Sequence, residues 1–229
     1  MENKLSFEEY YHGKLKEGVK LFNTLMAGDF ETDTLENQCK RINLQLDIVS
    51  QELYEEYFKF FGKNQLEELD AIGDVLFVVS ELERQLSILS EVEQSNSDAA
   101  DYIANNINHS ALNLLSGAIG LFYETFTNHY DLDLVIEATD RVIENNLSKF
   151  TSDKEEAEKW ESPKGEKLTL SETVVNDVVY YCLKNENGKV RKKKGFKSVA
   201  LKDLVNKQNE RINTFAEQSS EDVNSTFEA

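Results

Sequence analysis

Between Glu52 and Asp74 the chain reads ELYEEYFKFFGKNQLEELDAIGD. Two carboxylate pairs, Glu52-x-x-Glu55 and Glu67-x-x-Asp70, flank a short connection that contains Gly62. Acidic residues three apart on a helix point the same way. A connection this short returns the chain antiparallel and sets the end of one helix beside the start of the next. The two pairs then meet. Four carboxylates beside an apolar core repel one another, so a positive group belongs among them. Oxygen ligands of this kind suit a hard cation such as Mg2+, with Mn2+ as a substitute. Asp74, one turn beyond Asp70, is a further candidate ligand or orienting group. A solvated or helix-pairing role explains it equally well.

Outward from this stretch the pattern stays helical. Leu35 to Phe61 carries Leu35, Cys39, Ile42, Leu46, Val49, Leu53 and Phe60 at the three-four spacing of a core stripe, with Thr34 as cap. Leu66 to Val92 repeats it with Leu66, Leu69, Ile72, Leu76, Val79, Leu86 and Leu89. Upstream, Phe7 to Met26 reads as a helix begun at Ser6 and ended near Gly28. Downstream, residues 93–108 are polar, a loop with a short helix. His109 to His129 is an apolar helix whose glycines suit close packing, and Asp131 to Phe150 is another helix. A charged linker, Thr151 to Lys167, precedes Thr173 to Leu183, which is β-branched and aromatic and predicts a strand. NENG then turns the chain toward KVRKKKGF as a returning strand. Val199 to Phe215 predicts a short helix, and the polar end of the chain predicts disorder. The expected organisation is an antiparallel helical bundle over 1–150, with an insertion about 93–130. A linker and β-hairpin extension cover 151–205, and a flexible tail covers 206–229.

Composition narrows the function classes. The 229 residues are 40% hydrophobic and 10% aromatic, enough for a core, and a single proline favours long helices. A net charge of −18 disfavours binding to nucleic acid or to anionic membranes. Cys39 and Cys182 make neither a disulfide framework nor a zinc site and are expected as buried thiols. MENKLSFEEYY lacks an apolar signal core, and no apolar run approaches about 18 residues. A cytoplasmic protein is expected, or one of the host cytoplasm if phage-encoded.

Acidic pairs alone are weak evidence, because 43 acidic residues repeat such spacings by chance and a solvated face explains them. Here they border apolar stripes on consecutive helices, and the helix ending near Phe150 supplies complementary groups. Asp140 is a candidate ligand or water-polarising group, and Asn146 and Lys149 are candidates for a sugar or phosphate. The basic run Arg191 to Lys194 offers a second phosphate contact, represented by Lys194, or an exposed turn that balances local acid. His12, His109 and His129 are scattered and are assigned no role. Tyr54, Tyr57, Phe58 and Phe61 suit core packing or base stacking.

At these residues the chain resembles the all-α nucleoside triphosphate pyrophosphohydrolases: MazG-like proteins, dimeric dUTPases and phosphoribosyl-ATP pyrophosphohydrolase-like proteins, including phage types. The family signature, E-x-x-E on one helix and E-x-x-D on the next, is similar to Glu52/Glu55 and Glu67/Asp70. EELDAIGDVLFVV resembles the continuation E-x-x-D-A-x-x-D-x-x-Y-V-V. Asp140-Arg-Val-Ile-Glu-Asn-Asn146-Leu-Ser-Lys149 resembles D-E-V-H-x-S-N-M-S-K, without its His and first Ser. LKNENGKVRKKKGFKSVALKDL resembles a β-extension, G-K-V-x-K, with Gly188, Lys189, Val190 and Lys192 in register and Leu in place of the expected Pro. The resemblance covers Leu35 to Asp74, Asp140 to Phe150 and Tyr181 to Leu204.

It implies Mg2+-dependent cleavage of a (d)NTP between the α- and β-phosphates, to a nucleoside monophosphate and pyrophosphate. Glu52, Glu55, Glu67 and Asp70 would hold the metal, with Asp74 as an outer ligand. Glu52 or Glu55 would activate water, and Lys149 and Asn146 would contact substrate. It also implies a homodimer, or a tetramer of two dimers. The competing expectation is a non-catalytic helical interaction protein that binds no specific divalent metal.

Overall fold

The structure is a computed structural model; it describes residues 5–163 and 165–226, and for residues 215–226 the backbone alone. The protein is mainly helical, with a small antiparallel sheet. Helix α1 joins three pieces, Phe7–Tyr10, a π-helical Tyr11–Leu15 and Lys16–Ala27. A capping box starts it. The Glu9 amide donates to Ser6 Oγ at 3.2 Å, and the Ser6 amide donates to the Glu9 carboxylate at 2.8 Å. Gly28, at φ 81°, ends it. Helix α2 joins Leu35–Gln51, a π-helical Glu52–Tyr57 and Phe58–Phe60, and Thr34 caps it through the Asn37 amide. Gly62, at φ 67°, turns the chain back. The Leu66 and Glu67 amides donate to the Asn64 side chain and begin α3, Gln65–Ser95. Then come α4, Ser97–Asn106, α5, His109–His129, and α6, Leu132–Leu147.

Helix α3 lies at the centre, with α1, α2, α4, α6 and α8 (Lys202–Thr226) packed around it. A helix enclosed on several sides buries more than one stripe. Leu69, Ile72, Leu76 and Val79 are buried as their spacing predicts, and so are Val75, Phe77 and Leu82. Leu66, expected in the stripe, is exposed. On α2 the buried series runs Cys39, Ile42, Leu46, Val49, Leu53 and then Tyr57, with Phe60 only half-buried. The π-helical turn explains the change. Hydrogen bonds from i to i+5 widen it, so the residue four after Leu53 keeps the inward direction. The Tyr57 hydroxyl meets Thr125 Oγ1 of α5 at 2.7 Å.

Close approach to α6 depends on two glycines. A Cβ on Gly73 would lie 2.7 Å from Val142 Cγ2, and one on Gly18 would lie 2.7 Å from Ile143 Cγ2. Gly117 and Gly120, the glycines that the sequence offers for close packing, have no atom within 4 Å of such a Cβ.

The sheet comprises β1, Phe150–Thr151, β2, Thr169–Val175, β3, Val178–Lys184, and β4, Val190–Arg191, with a short α7, Lys154–Glu158, after β1. Strand β3 is central, pairing antiparallel with β2 on one side and with β1 and β4 on the other. Thr173 to Leu183 is therefore not one strand. Asn176 (φ 49°) and Asp177 (φ 63°) form a two-residue turn with Val175 opposite Val178. Positive φ at both central residues matches the twist of a hairpin, and Asn and Asp tolerate it. The NENG turn stands where the sequence predicts it, with Gly188 at φ 75°, but the returning strand is only two residues long.

Leu25 of α1, Phe150, Cys182 and Val190 form a second small core under the sheet. Both cysteines are buried free thiols, as expected. Helical backbone continues to Thr226, beyond the predicted Val199–Phe215 helix and into the expected tail; residues 227–229 lie outside the described residues. No described helix is long and apolar enough to cross a membrane.

Candidate functional site

Asp70 and Asp74 stand one turn apart on α3, where that helix passes the end of α6. With Asn145 and Asn146 of α6 and Lys192 after β4 they line a cavity of about 160 Å3. Val142 and the segment Ser198–Val199 close its sides. Lys149 stands nearby, donating from Nζ to Asn146 Oδ1 at 2.6 Å, with the same ammonium 5.3 Å from the centre of the Phe22 ring. The π-helical segment of α2 brings Glu52, half-buried, to the same group of charges.

The electrostatics follow from this crowding. Burial raises the Asp74 carboxyl to about 7, Glu52 and Asp70 push it the same way, and Lys149 and Lys192 oppose them. Asp70 is raised by burial and by Glu67 and Glu56, against the pull of Lys192. Glu52 is raised by burial, then by Glu56 and Asp70. Burial and the neighbouring Lys192 lower Lys149, while Asp74 raises it. The group is a set of carboxylates in each other's field with two ammonium groups among them.

Most of the expected residues come together here. Glu52, Glu67, Asp70, Asp74, Asn146 and Lys149 share one neighbourhood. Glu55 and Glu56 are both exposed, and Glu56 is the neighbour whose charge reaches Glu52 and Asp70. On an ordinary helix residues three and four apart are both neighbours, and the widened turn brings the one four apart closer into line. Two expected residues stand elsewhere. Asp140 accepts from the Tyr10 hydroxyl at 2.9 Å and from Lys14 Nζ at 2.6 Å, on the side of α6 that faces α1. Lys194 is paired with Glu161 at 2.5 Å. Asn145 and Glu56 are the additions that sequence reasoning missed. Within the basic run Arg191 to Lys194, offered as a phosphate contact and represented by Lys194, it is Lys192 that lines the cavity.

Larger hollows lie away from this group. One of about 640 Å3 adjoins Trp160, one of about 450 Å3 adjoins Tyr10, and one of about 300 Å3 adjoins His129. Ion pairs line the first two: Lys193 with Glu156 and Lys194 with Glu161 at the first, Lys14 with Asp140 and Lys207 with Glu137 at the second. Glu68 of α3 lines the third, away from the acids. It is buried and accepts from the Gly62 amide at 2.9 Å, which ties the α2–α3 connection down.

The carboxylates suit a hard divalent cation by chemistry: oxygen donors, partly desolvated, whose mutual repulsion a cation would relieve. Their placement is looser than a cage. Among the described residues no three or more His, Cys, Asp or Glu side chains gather at a common ligating point. The positive charge expected among the acids is supplied here by Lys149 and Lys192. Comparison with known protein families, with curated proteins and with solved structures finds no match to this chain.

Proposed function

We propose that the protein is a Mg2+-dependent nucleoside triphosphate pyrophosphohydrolase, a helical bundle of the all-α pyrophosphohydrolase type with a β-extension. The observation that carries this reading is the cavity in which Asp70 and Asp74 face Asn146 and Lys192, with Glu52 and Lys149 at its edge. The motif resemblance named these same acids, and Asn146 and Lys149, from sequence alone.

In this reading Glu52, Glu56, Asp70 and Asp74 are the residues that would hold the metal, with Glu67 beside them. Mn2+ would serve in place of Mg2+. A bound divalent ion supplies charge neutralisation at the phosphate oxygens. The chain does the rest by positioning. Lys149 presents a point charge to a phosphate, its direction fixed by Asn146. Whichever of Glu52 and Asp74 does not ligate the metal takes the proton of the attacking water. The water oxygen bonds to phosphorus, and the bond between that phosphorus and the bridging α–β oxygen breaks. The products are a nucleoside monophosphate and pyrophosphate. Phosphoryl chemistry of this kind relies on orientation and charge more than on covalent help.

A homodimer, or a tetramer of two dimers, completes the reading, and light scattering at monomer mass would oppose it. The test of the activity is a panel of NTPs and dNTPs with Mg2+ and product identification. Turnover to monophosphate and pyrophosphate is expected, with losses of at least about a hundredfold in Glu52→Ala and Asp70→Ala. No turnover with any nucleotide removes the proposal.

A second reading has its own observation. Leu114 (74% exposed) and Leu121 (50% exposed) flank Gly117 on the outer face of α5. Such a face favours a helical interaction protein without catalysis. That protein would show no specific response to divalent metal.

A further inference from the structure

We infer that Lys192 is the residue that binds the polyphosphate chain of the ligand, held over the acidic cavity by the strap that runs from Lys192 to Ala200. Four consecutive cations, Arg191 to Lys194, leave β4, and three are committed to carboxylates. Arg191 pairs with Glu166, Lys193 with Glu156 and Lys194 with Glu161. Lys192 makes no ion pair within 4 Å with any described residue, yet it lines the cavity with Asp70, Asp74 and Asn146. Its ammonium lies 4.9 Å from the centre of the Phe196 ring, which steadies the side chain without neutralising it.

The strap is fixed at both ends. Before it, β4 pairs with β3, Val190 opposite Lys184 and Arg191 opposite Leu183. After it, Asn145 donates to the Lys197 carbonyl at 2.8 Å, and Arg141 donates to the Ala200 carbonyl and to both oxygens of Asp203. Leu201 and Leu204 are buried beneath that anchor. An ammonium carried on a segment anchored this way loses little freedom when it meets an anion. Lys149 and Lys192 lie in each other's field, and Asp74 lies in the field of both. Two neighbouring ammonium groups beside a carboxylate group match a ligand with several phosphates better than one with a single phosphate. Lys192 then discriminates a triphosphate from the monophosphate product.

The inference rests on the pyrophosphohydrolase reading only for the identity of the ligand, and its test separates the two. Binding of inorganic tripolyphosphate and of a nonhydrolysable dNTP analogue is measured by calorimetry on the full chain, with and without Mg2+. Wild type is compared with Lys192→Ala, Lys192→Arg and Lys194→Ala. Lys192 is exposed, and circular dichroism checks that each variant folds. Expected is a loss of about tenfold or more in affinity for both ligands in Lys192→Ala, the scale of one charge-assisted hydrogen bond. Lys192→Arg should recover part of it, and Lys194→Ala should bind as wild type does. No binding of either ligand by wild type overturns the inference, and so does an equal loss in Lys192→Ala and Lys194→Ala, which would reflect net charge alone. Turnover of a dNTP with an unchanged KM in Lys192→Ala overturns the inference and leaves the enzyme reading standing. Lys192-dependent tripolyphosphate binding without turnover of any nucleotide does the reverse.

Discussion

Asp74 is a carboxyl group that burial and two neighbouring acids keep protonated far above its ordinary range. In the unfolded chain it loses its proton near 3.8, and in the folded protein near about 7. Between those values the native state binds a proton that the unfolded state has released, so stability falls as pH rises through that window and levels off above it. Metal-free protein should therefore show a denaturant midpoint that drops from about pH 4 to 7. Asp74→Asn, which keeps the shape and removes the charge, should flatten that slope and be more stable than wild type at neutral pH. A variant with the same slope as wild type would show that Asp74 titrates normally. The acids of α2 allow a sharper comparison. Glu56→Gln should reduce turnover or metal affinity more than Glu55→Gln, because Glu56 is the one in the field of Glu52 and Asp70. The reverse order would place Glu55, not Glu56, at the site.

The elements were legible where apolar spacing repeats for several turns, as in α2, α3 and α6. They were misread where a local backbone choice interrupts the period. The π-helical Glu52–Tyr57 is one such place: periodicity counted at 3.6 continues the stripe to Phe60, whereas the wider turn buries Tyr57 and leaves Phe60 half-buried. The hairpin Val175-Asn-Asp-Val178 is another, since β-branched residues on both sides hid a two-residue turn. Glycines were weighed by sequence context alone, and the two that matter stand where α1 and α3 meet α6. Gly73→Ala should cost about 1–3 kcal/mol, because its Cβ would meet the branched Val142 and the Thr139 backbone. Gly117→Ala, in open space on a helix, should gain up to about 1 kcal/mol from helix propensity. Chemical denaturation of the two variants checks both signs. A neutral Gly73→Ala would mean that α6 shifts aside freely.

At the scale of the whole molecule, the sheet and the segments after it join the helical part and reach its acidic cavity. Leu25 and Phe150 share a core with Cys182 and Val190, and Arg141 of α6 anchors the chain at Ala200 and Asp203. Sequence alone set these segments apart as a linker and extension, because covalent order does not reveal that Lys192 returns to α3. The net charge of −18 makes the molecule sensitive to any cation, so a stabilising effect of Mg2+ has two sources. General screening of self-repulsion depends on ionic strength and not on which salt provides it. Binding to the native carboxylates adds a term that grows with metal concentration over the dissociation constant, about 2.7 kcal/mol at a hundredfold excess. For a chain of this size that is a rise of roughly 5–10 °C in melting temperature. Melting curves in MgCl2 and in NaCl at matched ionic strength should therefore separate. The excess in MgCl2 should vanish in Glu52→Ala and Asp70→Ala, while the part shared with NaCl remains. If the two salts raise wild type equally, screening accounts for all of it, and the carboxylates of α2 and α3 hold no specific ion.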